Sequence, residues 1–542
     1  MKQVYINGNV ITVDENKRRC EAFAVEDGVF VHVGNNKSVM CACNGETYTV
    51  VDLRGKTVIP GINDSHIHLL NYAYSLSKVN LEGLNSVEQI VERGKEYLWK
   101  KKILKGDWLL GRGWNHYFFD EPRFLTRQDL DRISTEHPIL FTRICEHTVT
   151  VNTMALELLE IDDDTPDPEG GEIVRDEQGK AVGILRETAR YLAYERLPLK
   201  SVDEIKELLV TAMDKVSAWG ITSVQSDDFE TFSDKDWRKV LTAYQELKEE
   251  GKLKVRLYEQ CLLPSKERLL DFINAGYHTG WGDDMLKIGP LKLLMDGSLG
   301  PHSALLSSPY SDEPENCGIA VFTQEELNEL LYLGHKNHMQ LACHGIGDRA
   351  IRMILDGYKK VQENYPSKDA RMGIVHVQVG APDIYERMMK QEILGYLQPV
   401  FIQADMHCAE ERLGKERLSY AYKFKKMRDM GIRSSFSSDA PVETPNPMDG
   451  MYVAATRMDY NQNPQGGWDP TERMEVEDII KGYTLDSAYA QFEENKKGSI
   501  TEGKMADFLV LSEDITDIAP ENIRDVKVLC TYVGGEKVYS AL

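Results

Sequence analysis

The middle of this chain alternates repeatedly between helical and strand patterns, and this alternation limits the possible folds more than any other feature. In residues 201–227, Ser201 and Glu204 form an S-x-x-E capping box that opens an apolar stripe of helical spacing. Gly220 ends that predicted helix, and "ITSVQS" then has the composition of a short strand. "TQEELNELLYLGHKN" before "MQLACHG" repeats the order. Such alternation predicts a parallel sheet covered by helices.

The alternation extends over most of the 542 residues, which favours an α/β fold built on a (β/α)₈ TIM barrel. An open doubly wound sheet is the alternative, although no G-x-G-x-x-G follows a strand pattern. The two ends of the chain differ from the middle. Short strand patterns occur in "VYINGNVITV" near the start and in "ADFLVLSED" near the end. We therefore predict a smaller β-domain formed from both chain termini.

Composition excludes several kinds of partner. The net charge is −23, whereas nucleic acid and anionic membrane surfaces bind basic patches. No apolar run approaches the roughly 20 residues of a membrane span, and the first residues lack a signal-peptide core. The nine cysteines are scattered, which is typical of reduced thiols in a cytoplasmic protein. We expect a cytoplasmic enzyme with a small-molecule substrate and no nucleic-acid or membrane partner.

Side chains of the metal-binding type stand at the ends of predicted strands, where a barrel collects its chemistry. Each has an ordinary explanation alone: a hydrogen-bonded core histidine, a loop aspartate that caps a turn, or a lysine that reaches the surface. A lysine converted to a carbamate would instead be an anionic oxygen ligand. Their conjunction predicts one metal centre. The candidates are His66 and His68 in "DSHIH", Lys292 in "LKLLMDGS", His344 in "LACHG", His376 in "GIVHVQ" and Asp439 in "SSDAP".

These residues and their surroundings resemble the amidohydrolase superfamily, and more closely its amidohydrolase 3 branch of YtcJ-like proteins. The resemblance covers nearly the whole chain. It includes "VIPGINDSHIHL", "GRGWNHYFFDEPRFLTRQDLD", "LKLLMDGSLG", "HGIGDRAI", "SSDAPVETPNPMDGMYVAATR" and "KGSITEGKMADFLVLSED" in the same order. It implies a β-sandwich domain from residues 1–57 plus 486–542, and a metal-dependent barrel from 58–485. The barrel would carry insertions at about 70–190 and a lid at about 297–322.

The resemblance also assigns the metal ligands. His66, His68 and Asp439 would bind the more buried divalent ion, and a carboxylated Lys292 would bridge to a second ion. His344 and His376 would hold that second ion. Zinc is the default for such imidazole-rich sites, with iron and manganese as alternatives, and one or two ions per chain. A homodimer is a further expectation at the level of the family.

The mechanism that the family implies is hydrolysis of a carbon–nitrogen bond other than a peptide bond, in an amide, an N-formyl group or a cyclic amide. A metal-bound hydroxide would attack the carbonyl carbon, and Asp439 would serve as general base and then as general acid. A deaminase and an ester or lactone hydrolase use the same scaffold and remain alternatives. A regulatory binding protein with a vestigial site is a third hypothesis.

Three residues are candidates for substrate binding. His302 lies in "GSLGPHSALL", where many relatives carry an arginine, and His147 lies in "RICEHTVTVN". Trp114, followed by Asn115 and His116, belongs to a loop that the resemblance puts near the barrel mouth. An aromatic loop that packs against the protein is the alternative for Trp114.

Overall fold

The computed structural model describes residues 2–145 and 147–541, and a parallel sheet of eight strands forms its centre. The strands pair in the order 8-7-6-5-4-3-2-1, and every recorded pair is parallel. The predicted (β/α)₈ barrel is therefore confirmed. Its strands are β1 (Ile62–Ile67), β2 (Ile221–Ser226), β3 (Arg256–Leu262), β4 (Leu286–Leu294), β5 (Leu341–Gly345), β6 (Gly373–His376), β7 (Leu394–Leu397) and β8 (Ser434–Phe436).

Hydrogen bonds join the last barrel strand to the first. The Ser65 hydroxyl donates to the carbonyl oxygen of Phe436 over 3.0 Å. Beyond the strands, the Asp439 N–H donates to the His66 carbonyl and the His68 N–H to the Ala440 carbonyl, each over 2.9 Å. The residues that follow β8 are thereby fixed against the end of β1, where two predicted metal ligands lie.

The helices begin where the sequence predicts them. Glu204 accepts from the Ser201 N–H over 2.8 Å, and the helix Val202–Ala218 follows. Thr323 and Glu326 form a complete capping box before Gln324–Lys336. None of the described helices is long and apolar enough to span a membrane. The other helices near the barrel strands are Trp237–Glu249, Lys266–Asn274, Asp348–Asn364, Pro382–Lys390, Ile402–Asp405, Ala409–Leu418, Phe424–Asp429, Pro447–Thr456, Val476–Gly482 and Leu485–Ala490, with 3₁₀ turns at Pro399–Phe401, Pro470–Glu472 and Pro520–Asp525.

Two further sheets lie outside the barrel, and one of them combines strands from both ends of the chain. The link is an antiparallel pairing of Thr57–Pro60 with Phe508–Leu511. Stacked rings fill the core between the sheets, with centroids 4.7 Å apart for Tyr5 and Phe23. One sheet contains Val29–Gly34, Ala22–Glu26, Lys2–Ile6 and Tyr48–Asp52, near the short helix Asn36–Ala42. The other contains Glu536–Ser540, Val528–Val533, Phe508–Leu511, Thr57–Pro60, Asn9–Ile11 and Arg19–Cys20. The exact boundaries at residues 57 and 486 stay a prediction.

The chain divides into two compact units. The first, here called the barrel unit, holds Met1–Leu69, Leu209–Phe229 and Trp237–Leu542, and the second unit holds Leu70–Leu208 and Glu230–Asp236. The second unit has its own sheet of six strands. These are Gly171–Arg175, Ala181–Glu187, Thr148–Val151, Ile139–Arg143, Leu109–Trp114 and Val79–Asn80. Its helices are Leu69–Leu76, Val87–Lys101, Arg127–Asp131, Thr153–Leu158 and Tyr191–Tyr194, with 3₁₀ turns at His116–Phe118 and Thr188–Arg190.

Candidate metal centre

Four of the six predicted ligands meet where β1, β4 and β8 end. The Nε2 atoms of His66 and His68 lie 3.2 Å and 3.1 Å from the same carboxylate oxygen, Oδ1 of Asp439. Lys292, which is completely buried in β4, places its Nζ 3.1 Å from His66 Nε2. The donor atoms of His66, His68 and Asp439 all lie within 4.8 Å of one another, so one cation can contact all three.

The other two predicted ligands belong to neighbouring strands. His344 lies in β5 and His376 ends β6, and their ring centroids are 4.5 Å apart. The centroid of His376 is 5.9 Å from that of His66, so the two groups of ligands are adjacent. The structure therefore brings all six predicted residues to one end of the barrel.

The tautomers of His66 and His376 follow from two glutamines behind them. His66 Nδ1 lies 2.7 Å from Oε1 of Gln260, and the amide nitrogen of Gln260 donates to the Ser65 carbonyl. His376 Nδ1 lies 2.7 Å from Oε1 of Gln398, and the amide nitrogen of Gln398 donates to a backbone carbonyl. Because each glutamine uses its N–H₂ elsewhere, its oxygen must accept from the imidazole. Each Nδ1 therefore carries the hydrogen, and each Nε2 keeps its lone pair.

His68 and His344 have the same arrangement with different acceptors. His68 Nδ1 donates to the backbone carbonyl of Asp227 over 2.9 Å. His344 Nδ1 donates to Oδ1 of Asp296 over 3.0 Å, and that carboxylate also accepts three backbone N–H groups. All four imidazoles thus present an Nε2 lone pair on the side away from a fixed acceptor, which is the usual orientation of metal-binding histidines.

A divalent cation fits this set of donors. Asp439 Oδ1 is buried and accepts no well-aligned hydrogen bond from the residues that the structure describes. It instead faces two nitrogen lone pairs at about 3 Å. Three acceptors that converge without a hydrogen between them repel one another, whereas a cation satisfies all three. Imidazole and carboxylate ligands of this kind suit zinc and other first-row metals.

The pKa values in the centre are strongly perturbed. Burial and the positive charge of Lys292 lower the pKa of His66 to about 4. Burial also opposes the charged form of His68, but its contact with Asp439 and the charge of Asp227 raise its pKa to about 9, so that a proton on Nε2 competes with a cation for this position. Burial would raise the pKa of Asp439, yet its contacts with both histidines hold that pKa well below the usual range. Asp439 is therefore an anion that attracts positive charge to this point.

Backbone geometry and Asp64 fix the ends of β1, β6 and β8. Asp439 and His376 adopt positive φ angles of 58° and 83°, a conformation that non-glycine residues rarely hold outside functional sites. Asp64 Oδ2 accepts from the Ser438 hydroxyl over 2.6 Å, and its Oδ1 accepts from the N–H of His66 over 3.2 Å. Asp64 therefore connects the segments that carry His66 and Asp439.

His302 is bound within its own segment. This segment has no helix or strand between Leu294 and Gln324. His302 Nε2 lies 2.9 Å from Oδ2 of Asp312, and its Nδ1 lies 3.4 Å from Glu313. Both ring nitrogens are thus engaged by carboxylates, and a role in substrate binding stays a prediction.

His147 and Trp114 belong to the second unit. His147 is exposed and pairs with Glu187 over 2.8 Å, and its role with substrate also stays a prediction. Trp114 has none of its surface exposed, and its indole N–H donates to the Phe141 carbonyl over 3.2 Å. Buried in this way, Trp114 packs in a core and has no surface to offer a substrate.

The residues behind the histidines were not identified from the sequence. Gln260 lies inside the apolar pattern "LYEQCLL", and Gln398 follows the strand pattern "LGYL". A buried glutamine at such a position needs a partner, and this is the signal that could have pointed to both. Asp227 acts through its backbone carbonyl, which no side-chain pattern can reveal.

Comparison with known proteins decides the family. Residues 49–539 match the model of the amidohydrolase family. The chain belongs to the amidohydrolase family. The YtcJ protein of Bacillus subtilis (strain 168) is 32% identical to this amidohydrolase over 542 residues, which are 99% of each chain. An N-substituted formamide deformylase of Arthrobacter pascens is 28% identical over 98% of this chain and 97% of its own length.

A solved structure agrees with this assignment. An uncharacterized metal-dependent hydrolase from Pyrococcus furiosus superposes with a TM-score of 0.79 and is 26% identical. The match covers 95% of this chain and all of the other. The amidohydrolase described here is accordingly a hydrolase that acts on carbon–nitrogen bonds.

Proposed function

We propose that this amidohydrolase cleaves an amide, N-formyl or cyclic amide bond of a small molecule, with zinc as its metal and Asp439 as its proton carrier. The observation that carries the proposal is the set of four imidazoles whose Nδ1 hydrogens are all donated to fixed acceptors. The Nε2 lone pairs of His66 and His68 face Asp439, and the rings of His376 and His344 lie beside them at the end of the barrel that carries chemistry in this fold.

The metal and the protein have separate tasks in this proposal. His66, His68 and Asp439 would hold one ion, and His344 and His376 would hold a second. A bound divalent ion supplies a Lewis acid that polarises the substrate carbonyl and makes a water molecule acidic. Asp439 would accept the proton of the attacking water at its carboxylate and then donate it to the leaving amine nitrogen, so that the amide gives a carboxylic acid and an amine.

Lys292 is the remaining member of the set. Its Nζ lies 3.1 Å from His66 Nε2 and 3.6 Å from Asp227 Oδ2, in a completely buried position. As an ammonium group it would repel a neighbouring divalent cation. Addition of carbon dioxide to the neutral amine of Lys292, with loss of one proton, would replace that charge with an anionic carbamate whose oxygens could bind cations, and we include this modification in the proposal.

The relative that acts on a formamide supports the substrate class. The N-substituted formamide deformylase aligns with 98% of this chain, so the alignment spans all six proposed ligands. A formamide carbonyl is small, and its hydrolysis needs the same proton transfers that Asp439 would perform.

A substrate screen with a paired variant tests the proposal. We expect the purified protein to contain one to two zinc ions per chain by mass spectrometry of the metal. We expect it to hydrolyse at least one compound among N-formyl amines, N-acyl amino acids and hydantoins. Asp439→Asn should lower kcat by about a hundredfold to ten-thousandfold, because the proton carrier is lost while an oxygen ligand remains.

The control variant is Glu329→Gln, which changes an exposed carboxylate that pairs with Lys266. Its kcat should equal that of the wild type. Full activity of Asp439→Asn would contradict the role of Asp439. Turnover of lactones or ring amines alone would contradict the amide assignment, and protein that takes up no zinc or manganese would contradict the metal centre.

A further inference from the structure

Among the residues that the structure describes, one arginine of the second unit is held by neutral groups only. Arg143 ends the strand Ile139–Arg143. Its Nε–H donates to Nδ1 of His116, and one of its Nη2 hydrogens to Oδ1 of Asn115, each over 3.3 Å. Its guanidinium carbon lies 5.4 Å from the ring centroid of Tyr117. No carboxylate pairs with Arg143 among the residues that the structure describes.

The acceptors of Arg143 have fixed identities. Asn115 Oδ1 also accepts the N–H of Tyr117 over 3.2 Å, which makes this atom the amide oxygen. His116 is buried, and burial together with the charge of Arg143 lowers its pKa, so the imidazole is neutral and Nδ1 is an acceptor. The guanidinium is thus oriented before any ligand arrives.

One edge of the guanidinium remains open. The Nε and Nη2 side contacts His116 and Asn115, whereas Nη1 has no acceptor in the described part of the chain. The Nη1 and Nη2 hydrogens form a fork that matches the two oxygens of a carboxylate. An arginine that is fixed on one side and presents its fork on the other suits an anionic ligand.

Aromatic rings adjoin this guanidinium. The His116 ring lies between Tyr117 and Phe124, with both centroid distances 4.2 Å. Tyr117 and Phe118 are 73% and 61% exposed, which is unusual for large aromatic side chains. An exposed aromatic surface beside a free guanidinium suits a ligand that has an apolar body and one negative charge.

A second arginine of the same unit provides a contrast. Arg186 lies 5.1 Å from the Phe124 ring, much as Arg143 lies over Tyr117. Arg186, however, donates to Oε2 of Glu172 over 2.8 Å. The charge of Arg186 is therefore neutralised by a carboxylate, whereas no described carboxylate pairs with Arg143.

We propose that Arg143 is a carboxylate-binding site of the second unit and that its ligand is a small carboxylate with an aromatic or similar apolar body. The Arg143 fork binds the carboxylate, His116 and Asn115 hold the fork, and Tyr117 and Phe118 contact the apolar body. The site stands on contacts within the second unit and does not depend on the proposed function of the metal centre.

Binding of 4-fluorobenzoate to the full-length protein, followed by fluorine NMR, tests this site. We expect Arg143→Gln to weaken binding about tenfold or more, because a bidentate charge-assisted contact is lost. Arg143→Lys keeps the charge without the fork and should bind with intermediate affinity. Arg186→Gln is the matched control and should bind within about twofold of the wild type, because its charge is already paired.

One neutral analogue and three competing anions complete the test. 4-Fluorobenzamide should bind much more weakly than 4-fluorobenzoate, and unlabelled benzoate should displace the probe better than acetate or inorganic phosphate does. Any binding of 4-fluorobenzoate at the metal centre would persist in all variants. Only a loss of affinity caused by substitution of Arg143 therefore supports the site. The proposal would be overturned if Arg143→Gln bound 4-fluorobenzoate as tightly as the wild type does. It would also be overturned if 4-fluorobenzamide bound as tightly as 4-fluorobenzoate, or if phosphate displaced the probe as well as benzoate does. A cooperative thermal unfolding transition shows that a variant is folded. If Arg143→Gln does not fold, the affinity of Arg143→Lys for 4-fluorobenzoate tests the proposal in its place.

Discussion

The four imidazoles of the metal centre donate their Nδ1 hydrogens to acceptors of three kinds. Gln260 and Gln398 supply neutral amide oxygens, Asp227 supplies a backbone carbonyl, and Asp296 supplies a carboxylate. An anionic acceptor makes the opposite nitrogen a better ligand than a neutral one does. We therefore expect His344, which is paired with Asp296, to be the strongest imidazole ligand of the set.

Replacing the glutamines tests whether orientation of the histidines matters for metal affinity. Gln260→Leu removes the acceptor for His66 and Gln398→Leu removes that for His376. Each should lower zinc affinity about tenfold to a hundredfold, because the ring loses its fixed tautomer and orientation. Competition with a coloured chelator measures the affinity. Gln362→Leu, which removes hydrogen bonds to the backbone of Ser367, is the control. An unchanged affinity in Gln260→Leu would show that His66 is oriented by other means.

Among the structural elements, the segment between β4 and the helix Gln324–Lys336 is joined to a proposed metal ligand through one carboxylate. Asp296 accepts the backbone N–H groups of Leu305, Ile346 and Gly347 while it also accepts from His344. The irregular segment is thus tied to the same group that orients a proposed ligand. Any shift of the Leu305 backbone will therefore be transmitted to the metal centre.

Gly347 gives a direct test of this connection. A Cβ at Gly347 would lie 2.0 Å from the Leu305 carbonyl oxygen, which is backbone and cannot rotate away. Gly347→Ala should lower the free energy of unfolding by about 1–3 kcal/mol and reduce zinc bound at His344. Gly300→Ala, where a Cβ meets no atom within 4 Å, is the control in the same segment. Thermal unfolding and metal analysis provide the two measurements, and equal results for both variants would refute the connection.

The helices and barrel strands were largely predictable, because their signals are local. The capping boxes at Ser201 and Thr323 and the apolar stripes after them depend on residues a few positions apart. The conformation of residues 295–323 was not predictable beyond its irregular character. Its contacts, such as that of Arg412 with the Gly300 carbonyl over 3.2 Å, connect residues far apart in sequence.

At the scale of the whole barrel unit, one buried ion pair joins β3 to the sheet built from both chain ends. Arg256 in β3 donates two hydrogen bonds, over 2.7 Å and 2.9 Å, to the carboxylate of Asp507. Both side chains are at least nine-tenths buried. Asp507 lies beside the strand Phe508–Leu511, so the pair connects two parts of the fold that are distant in sequence.

Removal of Asp507 should therefore be costly. Asp507→Ala leaves the buried Arg256 charge without its carboxylate, and we expect a loss of about 3–5 kcal/mol in the free energy of unfolding. Glu329→Ala breaks an exposed pair with Lys266 and should cost no more than about 1 kcal/mol. The midpoint of thermal unfolding compares the two variants, and similar midpoints would contradict a stabilising role for the buried pair.

The sequence by itself determined the fold class, the family and the six proposed ligands of the metal centre. It could do so because periodicity, capping residues and the motifs around the ligands are written in short stretches of the chain. Only the tertiary structure decided how these residues act together. The proposed ligands lie in or just after β1, β4, β5, β6 and β8. The groups that accept hydrogen bonds from the histidines lie in β3 or just after β2, β4 and β7. Closure of the barrel brings these strand ends together. Local sequence patterns do not determine which side chains from different strands become neighbours there.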